Sequence, residues 1–175
     1  MNRGIVYTGV PSEEELASCP GIPTSERMAR GRVAVIECVQ RIPCNPCRDA
    51  CRFHAIELGE DITQLPKLRE DLCTGCGRCV ALCPGQAITV VYTNFSETEA
   101  TVDFPFEYLP LPEKGRTVDA VDRFGTAVCK GRILRVTVAG EYAQTAVVSM
   151  AIPKEFASRV RGMRLLSGEE APSHA

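Results

Sequence analysis

Ten cysteines stand in a chain of 175 residues, and eight of them fall in two short stretches. The second stretch, DLCTGCGRCVALCPGQAI, spaces Cys73, Cys76, Cys79 and Cys83 regularly and ends in Cys-Pro. The first, IECVQRIPCNPCRDACRFHAI, places Cys38, Cys44, Cys47 and Cys51 less evenly. Sliding the chain on itself by 32 residues lays Cys44 on Cys76, Cys47 on Cys79, Cys51 on Cys83 and Ala55-Ile56 on Ala87-Ile88. Cys73 then meets Arg41, and Cys38 is the nearest cysteine that could fill the vacant place. Thiols at this density in a chain kept reduced bind metal. Zinc also uses C-x2-C units, but it needs two separated pairs per ion, not a run of four repeated at a constant offset.

The run from Cys73 to Cys83 resembles that of bacterial two-cluster ferredoxins, and the likeness extends from about Arg32 to Tyr92. In those proteins three closely spaced thiolates hold one [4Fe-4S] cube and the fourth reaches the other cube. Carried over residue by residue, the resemblance implies that cluster I takes Cys38, Cys44 and Cys47 with Cys83. Cluster II then takes Cys73, Cys76 and Cys79 with Cys51. The chemistry suits the spacing. Each iron corner wants one thiolate, and a tight loop kept clear by Gly75 and Gly77 can present three around one face. The wider first gap, x5 in place of x2, makes VQRIP bulge between Cys38 and Cys44, with Pro43 and Pro46 stiffening the approach. Two readings of Cys38 stand here: a ligand, which completes an eight-for-eight count, or a buried thiol beside a three-iron cube.

Other residues near the motifs invite roles. Arg52 replaces the proline that usually follows the fourth cysteine, and a fixed positive charge there would favour the reduced cluster and raise its potential. His54 takes the place of Gln86 in the other copy, which puts it near cluster II in a packing or solvent-facing role. Cys19 and Cys129 fit neither motif and read as free thiols.

The elements around the motifs suggest an α+β chain. Residues 1–31, rich in Pro, Ser, Glu and Gly, read as an extended arm with little structure of its own. A short strand from Arg32 to Glu37 opens a ferredoxin-like two-cluster domain at 32–92. From 93 to 166 short β-branched stretches predict a small antiparallel β sheet or barrel, with turns at Glu113–Arg116, Lys130–Arg132 and Ala139–Tyr142. PKEFASRVRGMRLL, with Pro153 at its start and Phe156, Val160 and Met163 on one face, predicts a closing C-terminal helix. Residues 167–175 read as a frayed tail.

Composition limits the function. Hydrophobic residues make up 45%, aromatics only 6%, and the net charge of -2 with a pI near 5.8 suits neither a nucleic-acid nor a membrane-surface protein. The early residues lack the apolar run of an export signal, and no stretch approaches the ~18 apolar residues of a membrane span. A cytoplasmic protein is therefore expected. A glycine-rich nucleotide fingerprint in a strand–turn–helix setting is missing, as is any Ser–His–Asp arrangement, so the chain reads as non-catalytic.

VIECVQRIPCNPC, CTGCGRCVALCPGQAI and VDAVDRFGTAVCKGRILRVTV together look like the small iron–sulfur subunits of multi-subunit flavin-dependent amino-acid dehydrogenases, which act on proline, hydroxyproline or related amines. The resemblance implies two [4Fe-4S] clusters on this chain, FAD or FMN on flavin-containing dehydrogenase partner subunits, and often a [2Fe-2S] subunit beside them. Such a chain would relay single electrons from a reduced flavin to an acceptor. The alternative is a free, diffusible two-cluster ferredoxin. From Arg27 to Arg78, nine basic residues face seven acidic ones, and that balance suits a standing interface better than transient steering.

Overall fold

A computed structural model describes residues 3–138, 140 and 145–166. The tail expected at 167–175 lies outside these, as does most of the turn expected at Ala139–Tyr142. The β-branched run Val33–Ile36 forms strand β1, buried along its whole length, and leads straight into Glu37 and Cys38. It pairs antiparallel with β4 (Ile88–Tyr92), Val33 opposite Val91 and Ile36 opposite Ile88. Between these strands lie both cysteine segments, with two short helices, α4 (Pro46–Ala50) and α5 (Arg78–Ala81), and a two-stranded pair, β2 (Ile56–Glu57) with β3 (Lys67–Leu68).

The sheet continues past Tyr92. Strand β5 (Glu99–Phe106) pairs with β4 on one side and with β8 (Ala146–Pro153) on the other. Beyond β8 come β7 (Ala127–Thr137), β6 (Thr117–Val121) and β9 (Gly162–Met163), giving the order β1-β4-β5-β8-β7-β6-β9. Every pairing is antiparallel. Side chains of a strand alternate between faces, and the sheet uses both. Ala34, Ile36, Ile88 and Val90 pack with Val80, Ala81 and the cysteine-bearing segments. Val35 and Val91 instead join Val102, Phe104, Ile133, Val148 and Met150 in a second core. The division expected at residue 92 therefore runs through one hydrogen-bonded sheet, with a different core on each face.

Three expectations are corrected. First, the arm is not extended. It holds α1 (Ile5–Thr8), α2 (Glu13–Ala17) and α3 (Ser25–Arg30). Ser12 and Glu15 form a reciprocal capping box: the Ser12 hydroxyl accepts from Glu15 N–H (3.2 Å) and the Glu15 carboxylate accepts from Ser12 N–H (2.7 Å). Glu15 also accepts from Ile5 N–H (3.1 Å), joining the first two helices. Ile36 N–H donates to Gly21 carbonyl (3.0 Å) and Leu68 N–H to Pro20 carbonyl (3.1 Å), so the arm is bonded to the module behind the cysteines.

Second, no turn breaks the chain at Lys130–Arg132, because β7 runs unbroken through it. Gly131 is there for proximity. A Cβ at that position would overlap Met150 Sδ and stand 2.7 Å from its Cγ, and Met150 is fully buried on the neighbouring strand. Gly131→Ala is expected to cost about 1–3 kcal/mol by overpacking. A thermal melt checks this, and the same substitution made in a Met150→Ala background should cost clearly less, since the clashing side chain is gone. The turn lies earlier, at Asp122–Gly125, where the Asp122 carboxylate accepts from Phe124 N–H (2.9 Å) and Thr126 N–H (3.0 Å).

Third, the closing helix is absent from the described residues. Pro153 ends β8, a single 3-10 turn covers Lys154–Phe156, and the chain then becomes β9. The apolar set is used as expected, with Val160 and Met163 buried and Phe156 packed against the same core. The backbone, however, finds partners on the edge of β6: Arg161 N–H donates to Val121 carbonyl (2.9 Å) and Arg164 N–H to Asp119 carbonyl (2.9 Å). With Gly162 in the middle, pairing with an open sheet edge outweighs a weak local helix preference.

Candidate metal centres

The loop from Cys73 to Cys79 is held tight by its neighbours. Gly75 has φ +64°, and a Cβ on it would lie 2.7 Å from both the carbonyl carbon and the oxygen of Arg32. The loop can therefore sit against Arg32 only because this residue is glycine. Gly75→Ala is expected to lose roughly 1–2 kcal/mol to the left-handed backbone alone, plus the displacement of Arg32. Reduced iron uptake and a lowered melting temperature measure it. The Arg27 guanidinium braces the same loop, donating to Cys73 carbonyl (2.6 Å) and Glu70 carbonyl (2.8 Å). Arg32 donates to Gly75 carbonyl (3.2 Å) and pairs with the buried carboxylate of Asp103. Burial pushes the Asp103 carboxyl above its ordinary range, a push that the Arg32 charge only partly opposes.

The 32-residue offset is visible in the fold. Helix α4 carries Cys47 and is followed by Cys51; helix α5 carries Cys79 and is followed by Cys83. After each, one non-glycine residue adopts a left-handed backbone, His54 at φ 51° and Gln86 at φ 50°. That rare conformation turns the next amide back on the thiol: Ala55 N–H donates to Cys51 Sγ (3.3 Å) and Ala87 N–H to Cys83 Sγ (3.4 Å). His54 is thus an exposed turn residue with the same backbone role as Gln86. A third amide, Ala34 N–H, points at Cys73 Sγ (3.4 Å). Arg52 is exposed.

Two cavities result. Cys51, Cys73, Cys76 and Cys79 line one, together with Phe53, Ala55, Ile56 and Val90. Cys38, Cys44, Cys47 and Cys83 line the other, together with Ile36, Gln40, Ile42, Pro66 and Ile88. Each cavity draws three thiols from one sequence copy and one from the other. The bulge between Cys38 and Cys44 lends Gln40 and Ile42 to the second wall. All ten cysteines are free, and among the described residues no three His, Cys, Asp or Glu side chains could hold a single metal ion. Burial pushes the Cys47 thiol up to about 11, with Cys83 nearby adding to the rise. Burial raises Cys79, Cys38 and Cys83 as well. These thiols keep their protons at neutral pH unless a cation takes the proton's place, so metal loading releases protons.

Outside the cavities, Cys19 is buried with its thiol on Ile36 carbonyl (3.2 Å) and Cys38 carbonyl (3.5 Å). Cys129 sits on β7, half-buried against the second core. Sequence reasoning missed Arg27, Arg32 and Glu37. Glu37, directly before Cys38, is buried between Arg123 and Arg161; its carboxylate accepts from Arg123 Nε (2.7 Å) and Arg161 Nε (2.8 Å). Burial alone would raise the Glu37 carboxyl, but the two guanidiniums outweigh it and hold it below its ordinary range. Only the Ala-Ile pairs at 55–56 and 87–88 carried a legible signal for the sulfur-facing amides, through their shared register.

Comparison with known proteins places residues 66–89 in the 4Fe-4S binding domain family. Ferredoxin-type protein NapF of Escherichia coli strain K12 is 40% identical over 57 residues, which is 31% of this chain and 35% of that protein. A subunit of the Na(+)-translocating ferredoxin:NAD(+) oxidoreductase complex of Acetobacterium woodii is 47% identical over 45 residues, 26% of this chain and 13% of that one. Protein Pixie of Drosophila melanogaster is 31% identical over 98 residues, 47% of this chain and 16% of the relative. The match thus spans about a third of NapF and less of the other two. No solved structure matches. Together with the thiol-lined cavities, these likenesses support an iron–sulfur protein similar to ferredoxin-type proteins over its cysteine segments, with a [4Fe-4S]-binding segment at residues 66–89. Among the described residues no helix is long and apolar enough to cross a membrane.

Proposed function

We propose that this chain is a two-cluster electron-transfer subunit of an oxidoreductase complex, taking single electrons from a flavin-bearing dehydrogenase subunit and passing them to an acceptor. The observation that carries this reading is the division of eight thiols into two walls of four, with Cys51 and Cys83 exchanged between the sequence copies. Cys38, Cys44, Cys47 and Cys83 would hold cluster I, and Cys73, Cys76, Cys79 and Cys51 cluster II. Four thiols spaced around each cavity suit a cube that needs one thiolate at each iron corner. Amides aimed at Cys73, Cys51 and Cys83 would stabilise the thiolates, and apolar walls of Ile36, Ile42, Phe53 and Val90 would keep water away. When bound, the clusters supply one-electron redox chemistry; the chain supplies spacing, charge and shielding.

Membership of a complex is supported by the sheet beyond Tyr92, which is far more structure than two clusters need. It is supported too by the likeness to a protein whose own name makes it part of an oxidoreductase complex. An amino-acid or amine dehydrogenase is the complex suggested by the resemblance of the cysteine segments and of residues 118–138. The test is anaerobic purification at low salt from native cells, with flavin absorbance and iron followed together. Co-elution with flavin subunits, and bleaching of the iron–sulfur band by an amino acid such as proline, is the expected result. A lone protein with about eight irons and no flavin would overturn the subunit reading in favour of a diffusible carrier.

A further inference from the structure

Resting on the two-cluster reading, the geometry points to a redox order set by the N-terminal arm: Arg27 makes the site walled by Cys51, Cys73, Cys76 and Cys79 the more easily reduced of the two. The observation is a contrast between corresponding peptide groups. Cys73 and Cys38 are the first cysteines of their sets, and each has its carbonyl contacted by the arm. At Cys73 the donor is the Arg27 guanidinium at 2.6 Å; at Cys38 it is the neutral thiol of Cys19 at 3.5 Å.

Other charges do not reverse this contrast. Arg123 and Arg161 with Glu37 form a group of net charge +1 beside Cys38, but their bonds go to that carboxylate and to the carbonyls of Ala157 and Val160, and neither donates to a cysteine carbonyl as Arg27 does at Cys73. Arg32 is matched by Asp103. Arg78 adds to the same side, its Nε donating to Ala50 carbonyl (3.2 Å), the peptide next to Cys51. Arg27 keeps its charge at any working pH, and its Nη1 and Nη2 are committed to the carbonyls of Gly31, Arg32 and Cys73. Reduction of either site adds one electron and breaks no bond, so its midpoint reads the electrostatic cost of one more negative charge. A guanidinium one peptide away, in partly buried surroundings where screening is weak, lowers that cost.

The test is a potentiometric titration of the anaerobically loaded full chain, followed by electron paramagnetic resonance. The wild type should show two one-electron waves. Arg27→Gln keeps a donor near Cys73 but removes the charge. It should lower the higher wave by at least a tenfold change in the reduction equilibrium, about 59 mV for one electron, and leave the lower wave in place. Arg27→Lys should restore most of the shift. Cys44→Ala and Cys79→Ala give a second reading that does not touch Arg27. The wave that survives in Cys44→Ala should be the higher one, and that in Cys79→Ala the lower. A shift of both waves together, a shift of the lower wave alone, no shift, or the opposite order in the cysteine variants overturns the inference. So does a wild type with about eight irons and coincident waves, which leaves the two-cluster reading intact. A wild type with only about four irons removes that reading, and the inference with it.

Discussion

The Cys44→Ala/Cys83→Ala double variant is expected to retain about four of about eight irons, no fewer than either single variant, whereas Cys79→Ala/Cys83→Ala is expected to retain almost none. Sequence proximity predicts the reverse, because Cys79 and Cys83 lie in one run and Cys44 is far from both. The cavities separate these outcomes: Cys44 and Cys83 share one wall, Cys79 belongs to the other. Losing two ligands of one cluster costs little beyond losing the first, since the substitutions act on a single unit. Substitutions at independent sites add. Iron and sulfide content after anaerobic reconstitution, with absorbance near the charge-transfer band, reads the difference directly. If Cys79→Ala/Cys83→Ala keeps about four irons and Cys44→Ala/Cys83→Ala keeps none, the exchange of Cys51 and Cys83 between copies is wrong. Cys38→Ala paired with Cys79→Ala decides whether Cys38 is a ligand or a bystander: almost no iron marks a ligand, and about four irons a bystander.

The grouping of the cysteines was legible because it is written in their spacing. A 32-residue offset relates the two copies, and in the fold it relates α4 to α5, His54 to Gln86 and the two sulfur-facing amides. A local repeat survives as local geometry. The wide gap was legible as a bulge, but what it does was not, because Ile42 and Gln40 meet Gln64 and Pro66 from a connector that shows no motif. Arg27 and Arg32 were invisible for a related reason. Their partners are backbone carbonyls 43 to 46 residues away, and a carbonyl leaves no mark in a sequence. In the arm two signals compete. Its Pro, Ser and Gly content points to an extended segment, while the four-residue pattern Ser12–Glu15 points to a capped helix, and the local hydrogen bonds of the cap win. The extension's strands were legible as strands. Their sheet partners were not, since β5 pairs with β4 on one side and β8 on the other, and no residue type at 92 or 93 marks the continuation.

Glu37→Ala is expected to destabilise the folded chain by about 3–5 kcal/mol, the cost of removing one partner from a buried ionic group and leaving the others uncompensated. Glu37 is 9% exposed and its partners Arg123 and Arg161 are 22% and 13% exposed, so water screens little of the remaining repulsion between two guanidiniums. The position magnifies the effect. Glu37 directly follows β1 and precedes Cys38. Arg123 stands in the turn after β6, and Arg161 stands just before β9, so one carboxylate ties the candidate ligand to the far edge of the sheet. Arg123→Ala should cost clearly less than Glu37→Ala, because Arg161 still holds the carboxylate. A Glu37→Leu/Arg123→Met/Arg161→Met triple variant should recover most of the stability, as buried ion groups often can be replaced by apolar side chains of similar size. Chemical denaturation of these variants beside the wild type gives the ordering. If the triple variant is no more stable than Glu37→Ala, the carboxylate matters through its shape and its hydrogen-bond geometry, and not through charge. If the triple variant is stable but takes up iron only at the Cys73 side, the triad's role is to hold Cys38 in line with Cys44 and Cys47.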